Sequence, residues 1–191
     1  SRLTVPTDTS STCATSSSGM FCWGRYPGSS NDHFSPVLVS SYNSYSRVEV
    51  GSQHACAHEV FGYGTSYQWV DCWGRNSFGQ VSDFAVGQTL PFTVGTGTGW
   101  NVWRVATQGD FTCVEQGDGT VQCFGLGTNG QLGNGVFANA SAPQPVGSGM
   151  QLHGVSTGKY HACALDPNGH AWCWGYDGQA QLGRGLVRSW P

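Results

Sequence analysis

Charge is what this sequence has least of. Only 10% of its 191 residues are Asp, Glu, Lys or Arg, and Lys159 is the single lysine. A net charge of −3 with no basic cluster leaves no electrostatic footprint for nucleic acid or for an anionic membrane surface. No stretch approaches the ~20 consecutive apolar residues that cross a bilayer, and no signal-peptide apolar region occurs, so membrane insertion is not expected. The sequence has no Cys-x-x-Cys pair, and the spacing of its eight cysteines is too wide for a zinc site. It begins at Ser1 without Met, which is expected of a processed protein or an excised fragment.

Glycine, by contrast, is abundant at 29 residues and is accompanied by many Ser and Thr. That composition suits short strands and tight turns and disfavours helices. The stretch Val155 to Gly185 shows the pattern most clearly. A strand-like run through His161-Ala-Cys163-Ala-Leu165 is followed by a turn at Asp166-Pro-Asn-Gly169 and a return run ending Cys173-Trp-Gly175. Two apolar runs joined by such a turn read as a β-hairpin with a cysteine on each arm.

The same unit occurs four times, at Cys22-Trp-Gly24, Cys72-Trp-Gly74, Cys123-Phe-Gly125 and Cys173-Trp-Gly175, about every 50 residues. Each is preceded by a partner: Cys13, Cys56, Cys113 and Cys163. The gap is nine or ten residues in three repeats and sixteen in the second. The repeat thereby selects the disulfides Cys13–Cys22, Cys56–Cys72, Cys113–Cys123 and Cys163–Cys173 from the 105 pairings that eight cysteines allow. Evenly used cysteines imply an oxidising compartment, and so a secreted or extracellular protein.

About four short strands and no helix per repeat make a small antiparallel sheet, which cannot bury both faces alone. Stacking such sheets around an axis solves this, so the expected fold is all-β: a β-propeller of four blades, each four-stranded with an intra-blade disulfide. Trp23, Trp73, Phe124 and Trp174 directly follow a cysteine, face the opposite side of the strand, and are expected to pack between blades. A single domain over 1–191 is expected, with repeats at approximately 1–33, 34–88, 89–140 and 141–185. Residues 186–191 then complete the first blade and close the ring. Gly109 stands one residue out of phase with Gly51 and Gly158, which predicts a bulge beside it.

His-x-Cys-x-Leu, a short turn, Cys-Trp-Gly and then Gly-Gln-Leu-Gly resemble the repeats of the regulator of chromosome condensation family of β-propellers. The residues concerned are His161 to Leu165, Cys173 to Gly175, Gly130-Gln-Leu-Gly133 and Gln181-Leu-Gly183. Members of that family usually have seven blades. The resemblance therefore leaves three arrangements open: a closed four-bladed ring, a piece of a larger ring, and several chains associating. Its cysteine pairs are similar to those of secreted relatives, which implies extracellular use. The founding member's chromatin and small-GTPase role does not carry over, because basic and acidic contact features are not visible.

Chemistry is hard to assemble from these residues. His54 and His161 occupy equivalent repeat positions, as structural hydrogen-bonding groups do, while His33, His58, His153 and His170 are scattered. No nucleophile elbow, metalloprotease helix or phosphate loop is present. Asp71, Asp110, Asp118, Asp166 and Asp177 lack EF-hand spacing. No catalytic residues, cofactor or metal are expected. The expected function is a noncatalytic recognition or assembly module that binds an extracellular protein or glycan. A polysaccharide-acting enzyme and a purely structural, self-associating repeat are the alternatives. Contacts are expected through Arg25, Tyr26, Arg75 and Tyr176, which follow the Cys-Trp-Gly motifs, and through Phe61 and Tyr63 in the long second hairpin, all on one face. Asn139-Ala-Ser141 is the one glycosylation sequon.

Overall fold

The computed structural model describes residues 2–4, 11–41, 45–60, 68–81, 92–94 and 101–184. They form antiparallel sheets in four groups. The first contains β1 (Arg2–Thr4), β2 (Ser11–Ser16), β3 (Gly19–Gly24) and β4 (His33–Ser40), and the second β5 (Tyr45–Val50), β6 (His54–Val60), β7 (Gln68–Gly74) and β8 (Phe92–Val94). The third contains β9 (Val102–Thr107), β10 (Phe111–Gln116), β11 (Val121–Gly125) and β12 (Ala140–Pro145). The fourth has, among the described residues, β13 (His153–Thr157), β14 (His161–Leu165) and β15 (Ala171–Gly175). In every sheet the strands are paired in chain order.

The four disulfides close as the repeat selects them. Each joins residues directly opposite in the hairpin, Cys13↔Cys22, Cys56↔Cys72, Cys113↔Cys123 and Cys163↔Cys173. Their Cα atoms are 4.1–4.2 Å apart. Directly opposite residues of an antiparallel pair are close enough for a disulfide to bridge, so the strand register and the cross-link select the same partners.

The sheets do not divide the chain where the repeats do. The strand that opens a repeat in sequence, such as His33–Ser40, is hydrogen-bonded to the Cys-Trp-Gly strand of the preceding repeat. The blade boundaries expected near residues 34, 89 and 141 are therefore corrected: those strands are the outer edges of the sheets before them. The ring-closing segment 186–191 lies outside the described residues, and the sheet it was expected to complete already has four strands. The bulge expected beside Gly109 falls instead at Glu115/Gln116. Gly109 has a different reason to be glycine, since a Cβ there would lie 2.0 Å from the Lys159 carbonyl oxygen of the neighbouring sheet.

The cores lie between sheets, as stacking requires. The Cys13–Cys22 disulfide packs with Trp73, Ala55 and Ala57 of the second sheet, and Cys56–Cys72 packs with Phe124 and Val114 of the third. Cys113–Cys123 packs with Ala162 and Ala164, and Trp174 lies against that cluster. Each of the first three disulfides thus faces the next sheet, and Trp73, Phe124 and Trp174 each face the previous one. Because the cysteine and the aromatic after it project from opposite faces of one strand, adjacent residues serve successive interfaces. β1, β5, β9 and β13 contact one another in series, so the first strands line one side of the stack.

Candidate functional site

The running direction of the strands defines two ends. At one, the backbone N–H of the residue after the motif's glycine donates, in the second, third and fourth repeats, to the carbonyl before the next-door strand: Arg75 to Gln53 at 2.8 Å, Leu126 to Asp110 at 2.9 Å and Tyr176 to Tyr160 at 2.8 Å. The motif's glycine is needed for this turn. Gly74, Gly125 and Gly175 have φ of +106°, +110° and +105°, and a Cβ at any of them would meet that same carbonyl oxygen at 2.5–2.7 Å. Arg75 and Tyr176 therefore occupy equivalent, rigidly held positions, and Arg25 follows the same motif in the first repeat.

Phe61 and Tyr63 lie outside the described residues.

At the first end the side chains are of different kinds. The exposed Arg25 forms a two-pronged ion pair with Asp32, at 2.7 and 3.1 Å, which raises its pKa through hydrogen bonding and charge. Tyr26 is partly buried against the His33 ring, 5.1 Å between centroids, and packs on the core between sheets one and two. Arg75 donates to Gln53 Oε1 and Ser77 Oγ, both at 2.8 Å, and its guanidinium lies 5.8 Å from the Phe78 ring. Tyr176, 42% exposed, stands edge-on to Tyr160 at 6.3 Å. It lines a hollow with Thr128, Asn129, exposed Phe137 and Asp177.

Asp110, Lys159 and Tyr160, none of which was expected as a contact residue, join the row. Burial raises the pKa of the Asp110 carboxyl, while the charges of Arg75 on the second sheet and Lys159 on the fourth lower it. Its Oδ1 is buried with no hydrogen-bonding partner. Lys159 Nζ stands 5.7 Å from the Tyr160 ring. The signal was available: the residue before His54, Phe111 and His161 is Gln53, Asp110 and Tyr160, different in every repeat at one fixed place. Arg75, Asp110, Lys159, Tyr160 and Tyr176 form a band across three sheets, mixing both signs of charge with two aromatic rings.

At the opposite end a second hollow is lined by Ser46, Arg47, His58, Trp103, Arg104 and Val105. Buried His58 has its Nε2 2.6 Å from the Val102 carbonyl oxygen, so Nε2 carries the proton. Its Nδ1 then accepts from the Ser46 hydroxyl at 2.8 Å. Trp103 is 59% exposed beside it. Arg104 lies 3.9 Å from Glu115, whose Oε2 accepts the Gly154 N–H at 2.8 Å. The hydroxyl and imidazole hold two strands to their neighbour.

The other polar groups are tied to the scaffold. His54 is fully buried, with Nε2 2.8 Å from Thr112 Oγ1 across the interface between sheets two and three. Tyr45 donates to Asp71 at 2.7 Å, Asp118 accepts from Thr120, and Asp177 accepts the Leu182 N–H. His170 and Trp172 hold Asp166 in its turn, and His33 meets Ser29. The five aspartates lie on three sheets, and among the described residues no three of His, Cys, Asp and Glu come together as a metal site would need. Asn139 is exposed just before β12, and its side-chain oxygen accepts the Gly127 N–H at 3.1 Å.

Two family models, both described as the regulator of chromosome condensation (RCC1) repeat, match residues 118–165 and 153–181. The chain is 24% identical over 188 residues to the human E3 ubiquitin-protein ligase HERC2, covering 94% of this chain and 4% of HERC2. It is 27% identical over 190 residues to the ultraviolet-B receptor UVR8 of Arabidopsis thaliana, covering 91% of this chain and 41% of UVR8. Among solved structures, yeast RCC1 (Prp20) bound to Kap60 superposes with a TM-score of 0.78 at 17% identity, over 96% of this chain and 45% of that one. The chain spans less than half the length of each of these relatives.

Proposed function

From a chain whose repeats are of the RCC1 type and whose sheets stack as propeller blades, we propose a noncatalytic recognition module that binds a protein partner through the band Arg75, Asp110, Lys159, Tyr160 and Tyr176. One observation carries the reading: exposed aromatic rings and opposite charges are displayed on loops whose backbone is pinned in the second, third and fourth repeats. Rigid aromatic anchors framed by charge are what a specific protein contact uses, because little conformational entropy is lost on binding. That yeast RCC1 was solved with Kap60 bound supports a protein as the ligand class. An extracellular site of action fits four disulfides that leave no cysteine free.

The test is binding of the purified chain to surface proteins of the producing cells, compared with Tyr160→Ala/Tyr176→Ala and Asp110→Asn variants of unchanged circular dichroism. Loss of binding in the tyrosine variant is expected. Undiminished binding overturns the assignment of this face. A glycan array run in parallel separates the carbohydrate alternative, which requires signal that the tyrosine variant loses. Thiol labelling of protein freshly taken from the cells should find no free cysteine; extensive labelling overturns the extracellular assignment.

A further inference from the structure

The three interfaces between successive sheets follow one plan. A disulfide on the earlier sheet meets the aromatic ring that follows the second cysteine on the later one. At two of the three, a loop carbonyl of the earlier sheet also takes a side-chain donor: Gln80 O accepts from Thr112 Oγ1 at 2.9 Å, and Gln131 O accepts from the Trp174 indole at 2.9 Å, whereas the Trp73 indole N–H at the first is buried without a partner. One interface adds a polar lock, His54 Nε2 to Thr112 Oγ1 at 2.8 Å. Gly51 makes room for that histidine, since a Cβ there would lie 2.4 Å from its ring.

The parts of that lock are distributed unevenly. Histidine stands two residues before the first cysteine only in sheets two and four, as His54 and His161; the others have Ser11 and Phe111. Threonine stands one before it only in sheets three and one, as Thr112 and Thr12; the others have Ala55 and Ala162. The histidine of sheet two meets the threonine of sheet three. Sheet four is prepared in the same way, for a Cβ on Gly158 would lie 2.3 Å from the His161 ring. Its outward row, opposite the core-facing Ala162 and Ala164, is His161, the Cys163–Cys173 disulfide and Leu165, which is 41% exposed. The register of sheet one puts Thr12, Ala14, Phe21, Trp23 and Leu38 on the face opposite its own disulfide, with Leu38 50% exposed. Neither row carries a formal charge.

We propose that the fourth sheet of one chain docks on the first sheet of a second copy, head to tail, by repeating the interface between sheets two and three. His161 then bonds Thr12 of the second copy, whose Trp23 covers the Cys163–Cys173 disulfide and offers its indole N–H to the Gln181 carbonyl. Nothing in this depends on the protein partner proposed above, which uses the loop end. A head-to-tail contact closes only if the rotation allows, and two junctions of this kind join eight sheets.

Sedimentation velocity over a rising concentration series reads the association directly. Concentration-dependent dimers or larger head-to-tail species are expected of the unaltered chain, and a monomer throughout overturns the proposal. Leu38→Arg and Leu165→Arg each place a charge on one exposed face without touching the cores. Each alone should be monomeric, whereas their equimolar mixture should form a heterodimer, because one variant retains a sound fourth sheet and the other a sound first sheet. A single variant that still dimerises, or a mixture that does not, sinks the head-to-tail geometry. His161→Ala should weaken the mixed dimer about tenfold, the loss of one buried hydrogen bond.

Discussion

His54 makes stability depend on pH in a way that one variant isolates. The Thr112 hydroxyl spends its single hydrogen on the Gln80 carbonyl, so it can only accept from His54, whose proton is therefore on Nε2. Nδ1 is buried with no partner, and protonating it would leave a charge in the core with nothing to receive its hydrogen. Burial accordingly lowers the His54 pKa from 6.5 to about 3. Above pH 6.5 the imidazole is neutral in both folded and unfolded chains and contributes no pH dependence. Between 6.5 and about 3 the unfolded chain takes up a proton that the folded chain refuses, so stability falls with pH by about 1.4 kcal/mol per unit. At pH 4.5 the loss is about 3 kcal/mol, or ~6–12 °C in Tm for a chain of this size. The comparison is urea unfolding of the disulfide-intact chain and of His54→Gln, which keeps an N–H donor and cannot titrate. Near pH 7 the variant should be the less stable by about 1 kcal/mol; the gap should close near pH 6 to 5 and reverse below it. Carboxylates titrate in both proteins and cancel in the difference. Curves that stay parallel from pH 7 to 4 would refute the buried, neutral imidazole.

Other expectations follow from the same interfaces. Trp73→Ala should cost about 3–5 kcal/mol in chemical denaturation, because its ring is fully buried between sheets one and two, whereas Trp23→Ala in the monomer should cost clearly less. Gly109→Ala should be among the most damaging glycine changes by thermal scan, since the Lys159 backbone cannot yield as a side-chain tip could. Under graded reductant, Cys163–Cys173 should open first by mass-resolved alkylation, because its two residues are partly exposed while the other six cysteines are fully buried. Replacing both residues with Ser should cost about 2–3 kcal/mol, the entropy of a closed loop of that length.

What the sequence made legible was whatever repeats. Cysteine spacing gave the disulfides, the residue after the second cysteine gave the interface aromatics, and apolar runs joined by a turn gave the hairpins, because each recurs with the repeat. Sheet boundaries were not legible. A strand such as Phe92–Val94 pairs with the Cys-Trp-Gly strand before it, although it follows a long connection and reads as the start of the next unit. Hydrogen bonding decides membership of a sheet, and residue order alone does not carry that information. The site was legible by half. Positions after Cys-Trp-Gly do form an exposed row, but Asp110 and Lys159 reach it from the opposite strand junction.

The histidines show why departures from a repeat carry more information than the repeat itself. His54 and His161 look alike in sequence, and both were read as structural because they recur. Packing separates them: one is fully buried against Thr112, while the other, with the same glycine cleared from beside its ring, lies on an outward face. In sheet three the same place holds Phe111, fully buried in an apolar cluster with Ala162, where a histidine would have met no hydroxyl. A polar lock therefore occurs only where the following sheet supplies a hydroxyl, since an imidazole without one would be an orphaned donor in a dry interface. By that rule His161 specifies the sheet that should cover it. The chain's own first sheet, through Thr12, is one that meets the specification.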